Sequence, residues 1–453
     1  MIMVADFVPG LKRCLRPARL REAAMQTTLR MVVAFILHCG RMSCLQAAGS
    51  IRSETRHRAQ IGRLLRRPSY RRLDVNGVLR QNLLQLEAGK GRFVFIVDAT
   101  LCSKAGEKTE NTYSTGNRQR RPRKGRRYGK QKHARKRCHS FTMGLLITPS
   151  GIRIPFSLPH YTREYCKEHG LVHRTTAEAA ADLIRSLPLP DEAQVVVLGD
   201  TAYDADAVRA ACDERGYLWI FPCNPERVLA GRKPRPKVRS LLKDWKSFSL
   251  QTIRLSPGQG PYVNYRRLSP HRIGPKAKPR TFYVHQERRE VQSVGEVRLV
   301  FSTTTPRLTA ATPDDVKILM TNATGLSLRE VVELYLLRWQ IELFFKELKS
   351  TLGFHQYRFQ KFKSVESWTE LALTAFMYLE TYRAEQLARR GLGDKEKKWW
   401  RHQRTHGLCQ AVRLAAEQSE LKYISKRLET PGGITTLKRL VRNSFAPEYR
   451  AAG

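Results

Sequence analysis

Continuous runs of apolar, β-branched residues punctuate the middle of this chain, and helical periodicity marks both ends. Phe93-Val-Phe-Ile-Val97 shows no polar alternation, the pattern of a strand buried on both faces. Residues 141–148 and 152–158 follow, separated by Pro149-Ser150-Gly151, and predict a hairpin. Residues 175–186 predict a helix with alanines at its packing positions, and Val195-Val-Val-Leu198 predicts a second buried strand. A helix over 205–215, closed at Gly216, then leads to a third strand over 217–221. A hairpin followed by alternating helix and strand describes a mixed α/β sheet.

Before residue 90 the chain reads as helical and basic, with apolar periodicity over 20–37 and 61–65 broken at Gly49 and Pro68. Residues 42–65 admit a helix-turn-helix with Gly49 at the bend and Arg52, Arg56, Arg58 and Arg63 on the second helix. An ordinary helical hairpin with a solvated basic face has the same pattern. Residues 224–325 are punctuated by Pro and Gly, with strand-like pieces at 248–255, 281–285, 297–303 and 316–321. One long helix is predicted over 328–352, and a second, mostly apolar one over 364–390. The implied organisation is a basic helical DNA-binding arm over 1–90 and an α/β core over 91–223, with a basic loop at 104–137. A β-rich insertion over 224–325, a second part of the core over 326–385 and a basic helical tail over 386–453 follow.

Charge changes this picture from a fold to a partner. The 453 residues carry 82 Lys and Arg against 40 Asp and Glu, a net charge of +42, while 41% of residues are hydrophobic. That is enough apolar material for a core, so the excess charge belongs to a folded protein whose expected partner is a polyanion. It is densest over 118–137, where 12 of 20 residues are Lys or Arg and none is acidic. Arg126, Arg127 and Lys130 lie there; the run reads either as a DNA-backbone clamp or as a solvated charged segment. A membrane span is not expected, because the apolar run at 31–37 is far short of the roughly 20 residues a bilayer requires. Residues 1–9 are mildly apolar but precede Lys12, Arg13, Arg16, Arg19 and Arg21, the reverse of the secretory order. Nine scattered cysteines without a C-x-x-C pair disfavour a zinc site or disulfide framework and fit a reducing cytoplasm.

Three acids run against the basic trend. Asp98 follows the first buried strand in Ile96-Val-Asp-Ala-Thr100, and Asp200 follows the second in Leu198-Gly-Asp-Thr-Ala-Tyr203. A carboxylate there must be solvated, paired or metal-bound, and two on neighbouring strand ends suit a hard divalent cation such as magnesium. The third is Glu342. At about 100° per residue from Tyr335, Arg338 falls near −60°, Glu342 near −20° and Lys349 near −40°, so the four share one stripe. Glu347 falls near +120°, off it. The rest of that helix is apolar, so a polar stripe within it needs a reason. Each feature alone has an ordinary reading, a turn residue for either Asp or an i,i+4 ion pair for Arg338 and Glu342. Together they fit metal-dependent phosphodiester chemistry.

The spacing Y-x2-R-x3-E-x6-K, met by Tyr335, Arg338, Glu342 and Lys349, resembles the signature of the insertion-sequence-four group of DDE transposases. Asp200-Thr-Ala-Tyr203 and Val97-Asp-Ala-Thr100 resemble that group's other two motifs, and the likeness spans about residues 90–385. It implies an RNase H-like mixed sheet flanked by helices, with a β-rich insertion before the Glu-bearing helix. It implies that Asp98, Asp200 and Glu342 bind two Mg2+ ions, with Mn2+ able to substitute, which activate water or a DNA 3′-hydroxyl and stabilise the leaving oxygen. Tyr335, Arg338 and Lys349 would grip double-stranded DNA near the cleaved phosphate, and two ends held together imply a homodimer in the DNA complex. An RNase H-like nuclease or resolvase without strand transfer, and a non-catalytic nucleic-acid-binding protein, remain alternatives.

Overall fold

The computed structural model describes residues 4–38, 44, 47, 58–66, 73–104, 106, 108–115, 136–231, 235–255, 280–305, 308, 311–389, 391–432 and 434–435. It divides into two compact units. One combines Met1–Leu86, Gly106–Glu110 and Phe345–Gly453, the other Glu87–Ala105 and Asn111–Phe344. Most of the helix-turn-helix expected over 42–65 lies outside the described residues, as do Arg126, Arg127 and Lys130.

Among the described residues the helices α1 (Val4–Leu15), α2 (Glu22–Leu37), α3 (Arg58–Arg66) and α4 (Val75–Gln85) come first. Four strands follow, β1 (Phe93–Lys104), β2 (Tyr113–Thr115), β3 (Lys136–Ile147) and β4 (Arg153–His160). Helices then alternate with strands through α5 (Arg163–His169), α6 (Thr176–Arg185), β5 (Val195–Leu198), α7 (Asp206–Glu214) and β6 (Leu218–Pro222). Next come β7 (Gln251–Leu255), β8 (Arg280–Val291), β9 (Gly295–Thr303) and β10 (Lys317–Thr321). The order ends with α8 (Leu328–Leu336), α9 (Trp339–Lys346), α10 (Phe362–Ala388), α11 (Asp394–His402) and α12 (Thr405–Leu428). Among the described residues, no helix is long and apolar enough to cross a membrane.

The ten described strands form one mixed sheet in the order β2-β3-β1-β5-β6-β10-β9-β8-β7, with β4 paired to β3. The expected hairpin is β3–β4, and the strands expected within 224–325 join the same sheet through β10, which lies antiparallel beside β6. Among the described strands only β1, β5 and β6 are mutually parallel, and each crossover between them contains a helix, as parallel neighbours require. The apolar runs explain the centre: Val94, Phe95, Ile96 and Val97 are fully buried, and so are Val196, Val197 and Leu198. Helix α6 packs on β1, β3 and β4 and against α7. Its start is fixed by a capping box in which Thr175 accepts from the Glu178 N–H while Glu178 accepts from the Thr175 N–H.

In the helical unit α10 is buried along most of its length and packs against α2, α3 and α4. Trp368 meets Phe35 edge to face at 4.9 Å, and Tyr378 meets Phe7 at 4.8 Å. One buried pair, Glu380 with Arg383 at 2.8 Å, mutually offsets its charges.

The single helix expected over 328–352 is divided. Leu337 and Arg338 donate their N–H groups three residues back, to Leu334 O (2.9 Å) and Tyr335 O (3.0 Å), tightening the chain into a turn between α8 and α9. A π-turn over Glu347–Thr351 follows, with Leu352 N–H bonding five residues back to Glu347 O at 3.2 Å. A uniform 100° per residue therefore does not run from Tyr335 to Lys349.

Candidate active site

Asp98 lies inside β1 rather than after it, because β3 continues to pair with β1 as far as Lys104. On the other edge of β1, however, β5 pairs only as far as Ile96↔Leu198. Asp98, within β1, and Asp200, just past the end of β5, each stand two residues beyond that last parallel pair, and neighbouring strands are spaced about 4.8 Å apart. The register brings the end of β5 alongside β1, and the charge of Asp200 is felt at the Asp98 carboxyl. Gly199 lets the chain turn there: a Cβ at this position would fall 2.9 Å from Tyr203 Cβ and 3.2 Å from the Phe221 ring. Asp98 Oδ1 accepts from the Ala99 N–H at 2.7 Å, and Asp200 Oδ1 accepts from the Ala202 N–H at 2.8 Å, capping the short turn Thr201–Tyr203.

A buried ion network pins the loop that carries Asp200. Asp204, whose side chain is only 2% exposed, pairs with Arg209 and accepts from Arg227 Nε at 2.7 Å, while Arg227 Nη2 also donates to the Asp204 carbonyl at 3.1 Å. Asp206 also pairs with Arg209, so two carboxylates and two guanidiniums offset each other at one loop end and leave little freedom to move Asp200 away from β1.

Glu342 sits in the first turn of α9 and accepts from Arg338 Nη2 at 2.6 Å. Burial pushes the Asp98 carboxyl up to about 6; Asp200 and Glu342 add to the rise, and the Ala99 amide and Arg338 oppose it. Burial also pushes the Tyr335 hydroxyl up to about 12, with Asp200 and Glu342 raising it further and Arg338 lowering it. Asp98, Asp200, Tyr335, Arg338 and Glu342 therefore occupy one electrostatic neighbourhood. Lys349 lies half-buried on the π-turn, in the helical unit.

Tyr203 and Lys317 carry no role in the sequence, while Trp339 admits two, core packing or stacking on an unpaired base. Tyr203 is buried, and its hydroxyl has no hydrogen-bond partner among the described residues. Burial raises its pKa strongly, and the charges of Asp98 and Asp200 raise it further. Trp339, which its apolar neighbours suggested was core, is 41% exposed beside Arg338. Lys317, at the start of β10, holds its ammonium 5.9 Å from the centroid of the Tyr335 ring.

These residues fit a divalent cation by their chemistry. The donors are hard carboxylate oxygens, their mutual repulsion is what a dication relieves, and the Tyr203 hydroxyl lacks a partner beside them. As they stand, no three ligating side chains among the described residues are drawn together closely enough to hold an ion. Glu342 is instead turned to Arg338.

The model of the transposase DDE domain matches residues 89–378, well over half of the chain. The chain belongs to the DDE transposase family. Its mixed sheet flanked by helices is consistent with an RNase H-like transposase fold, and the matched span contains all three carboxylates. No curated protein matches this transposase in sequence.

Proposed function

We propose that this protein is a transposase of the insertion-sequence-four group, which cuts the ends of its element and joins them to target DNA. The observation that supports the reading most is that Asp98, two residues past the last β1–β5 pair, feels the charges of Asp200, Arg338 and Glu342. Asp98, Asp200 and Glu342 are the residues that would hold Mg2+, or Mn2+ in its place. When bound, the metal supplies activation of water or a 3′-hydroxyl and stabilisation of the leaving oxygen.

The chain's own residues bind and orient the DNA. Arg338, freed from Glu342, offers a planar fork to the phosphate being cut, and the half-buried Tyr335 supports it from the preceding turn. Lys349 contributes a second cation along the DNA. The exposed face of Trp339 is a stacking platform for an unpaired base at the cut. Arg126, Arg127 and Lys130 in the basic loop, together with the basic arm before residue 90, supply sequence-independent affinity for double-stranded DNA. Two chains bring two ends together as a homodimer, acting in the cytoplasm on chromosome or plasmid DNA.

Strand transfer separates this reading from a nuclease or resolvase on the same core. With a pre-cut end bearing a free 3′-hydroxyl, Mg2+ and a supercoiled plasmid, joined product is expected. Cleavage of intact ends without any joining of pre-cut ends would assign the chain to hydrolysis alone.

A further inference from the structure

Lys317 carries no signal of its own in the sequence, but the sheet places it at the rim where β5 and β6 end. Strand β10 is antiparallel to β6, with Leu319 opposite Pro222, the last residue of β6. The start of β10 therefore emerges where β5 and β6 end, at the rim that carries Asp200. In the strand order β5-β6-β10, Lys317 stands two strands across and two residues along from Asp200, about 12 Å at ordinary strand spacing and rise. Its exposed side chain lays the ammonium against the Tyr335 ring, a geometry in which the ring's negative face holds a cation.

Among the described residues Lys317 makes no ion pair. Partial burial of its ammonium, followed by the Arg338 guanidinium, lowers its pKa, and Asp200 pulls the other way. A second cation held near Arg338 without an anion is unfavourable in the DNA-free chain, and a polyanion at the rim reverses that cost. We propose that Lys317 is a further DNA contact of the active site, its ammonium held by Tyr335 against the backbone phosphate that flanks the scissile one. This inference rests on the transposase reading, with Arg338 on the phosphate being cut and Lys317 on its neighbour.

The test uses the full chain and a duplex carrying the element's end, in which a neutral methylphosphonate replaces one phosphate at a time around the cut. Binding to unmodified DNA should weaken about tenfold in Lys317→Ala, as expected for loss of one charge-assisted contact. The slope of log affinity against log salt should fall by about 1. At one position beside the cut, neutralising the phosphate should weaken the wild type comparably and cost Lys317→Ala nothing more, whereas effects at other positions persist. Lys317→Arg should restore most of the affinity, and thermal unfolding of both variants should match the wild type. The inference is overturned if Lys317→Ala binds as the wild type does, or if its loss adds to that of every methylphosphonate. Failure of the wild type to cut the unmodified end with Mg2+ would instead sink the transposase reading.

Discussion

Replacing Asp98 by Asn should make the protein more stable while abolishing its chemistry. The Asp98 carboxyl rises from an ordinary 3.8 to about 6, with burial as the main cause and Asp200 and Glu342 as further ones. A carboxyl raised in the fold binds its proton more tightly folded than unfolded. Stability therefore falls as pH climbs from about 4 to about 6, and the loss is complete above that window. A rise of about two units corresponds to a ceiling of ~3 kcal/mol. Because the carboxylate keeps some contact with water, ~1–2 kcal/mol is the realistic gain from Asp98→Asn at pH 7.5. Asn is isosteric and can still accept from the Ala99 N–H, so little else changes. Urea unfolding of both proteins at pH 7.5 and near pH 3.5 measures the effect, and the gain should all but vanish at the lower pH. Millimolar Mg2+ should stabilise the wild type at pH 7.5 and leave Asp98→Asn nearly unmoved. A variant less stable than the wild type at pH 7.5, or a gain independent of pH, would refute the electrostatic account of the site.

Three further substitutions probe what holds the site in place. Gly144 lies opposite Val97 in β3, and a Cβ there would come within 2.2 Å of the buried Phe95 ring, so Gly144→Ala should cost ~1–3 kcal/mol in urea unfolding. A neutral result would mean that the β1–β3 contact is looser than described. Arg209→Ala removes a partner of the buried Asp204 and should cost ~3–5 kcal/mol, with Asp204→Asn in the same background recovering part of it. No recovery would show that the loss is packing rather than stranded charge. Ser327 caps α8 by accepting from the Glu330 N–H, so Ser327→Ala should lower stability by ~1 kcal/mol while leaving DNA affinity unchanged, checked by thermal unfolding and gel shift. A large loss of binding would tie that cap to the DNA surface directly.

Much of the site is legible in the sequence because burial on both faces leaves an unbroken apolar run. Phe93–Val97 and Val195–Leu198 could hardly be anything but central strands, and an acid next to such a run is conspicuous. What the pattern hides is tertiary. Nothing before residue 98 announces that β3 carries β1 on to Lys104, so Asp98 reads as a strand end when it lies inside the strand. No Gly or Pro marks the tightened turn at Leu337 and Arg338 or the π-turn at Glu347–Thr351, so a single helical wheel runs through both. The wheel nonetheless pairs Arg338 with Glu342, because the two are four residues apart and meet across the turn. Trp339 looks like core among its apolar neighbours, yet it is exposed because it starts α9 just after that turn. Lys317 carries no local signal, since its position depends on which strand β10 lies beside.

The most direct test of the central claim, that Asp98, Asp200 and Glu342 perform the reaction while the basic surface performs the binding, compares cutting and binding in the same variants. Asp98→Ala, Asp200→Ala and Glu342→Ala are each mixed with end DNA, with and without Mg2+. Each should bind the end within a few-fold of wild-type affinity and yield no Mg2+-dependent cleavage. Any one of the three that cuts as well as the parent contradicts the account.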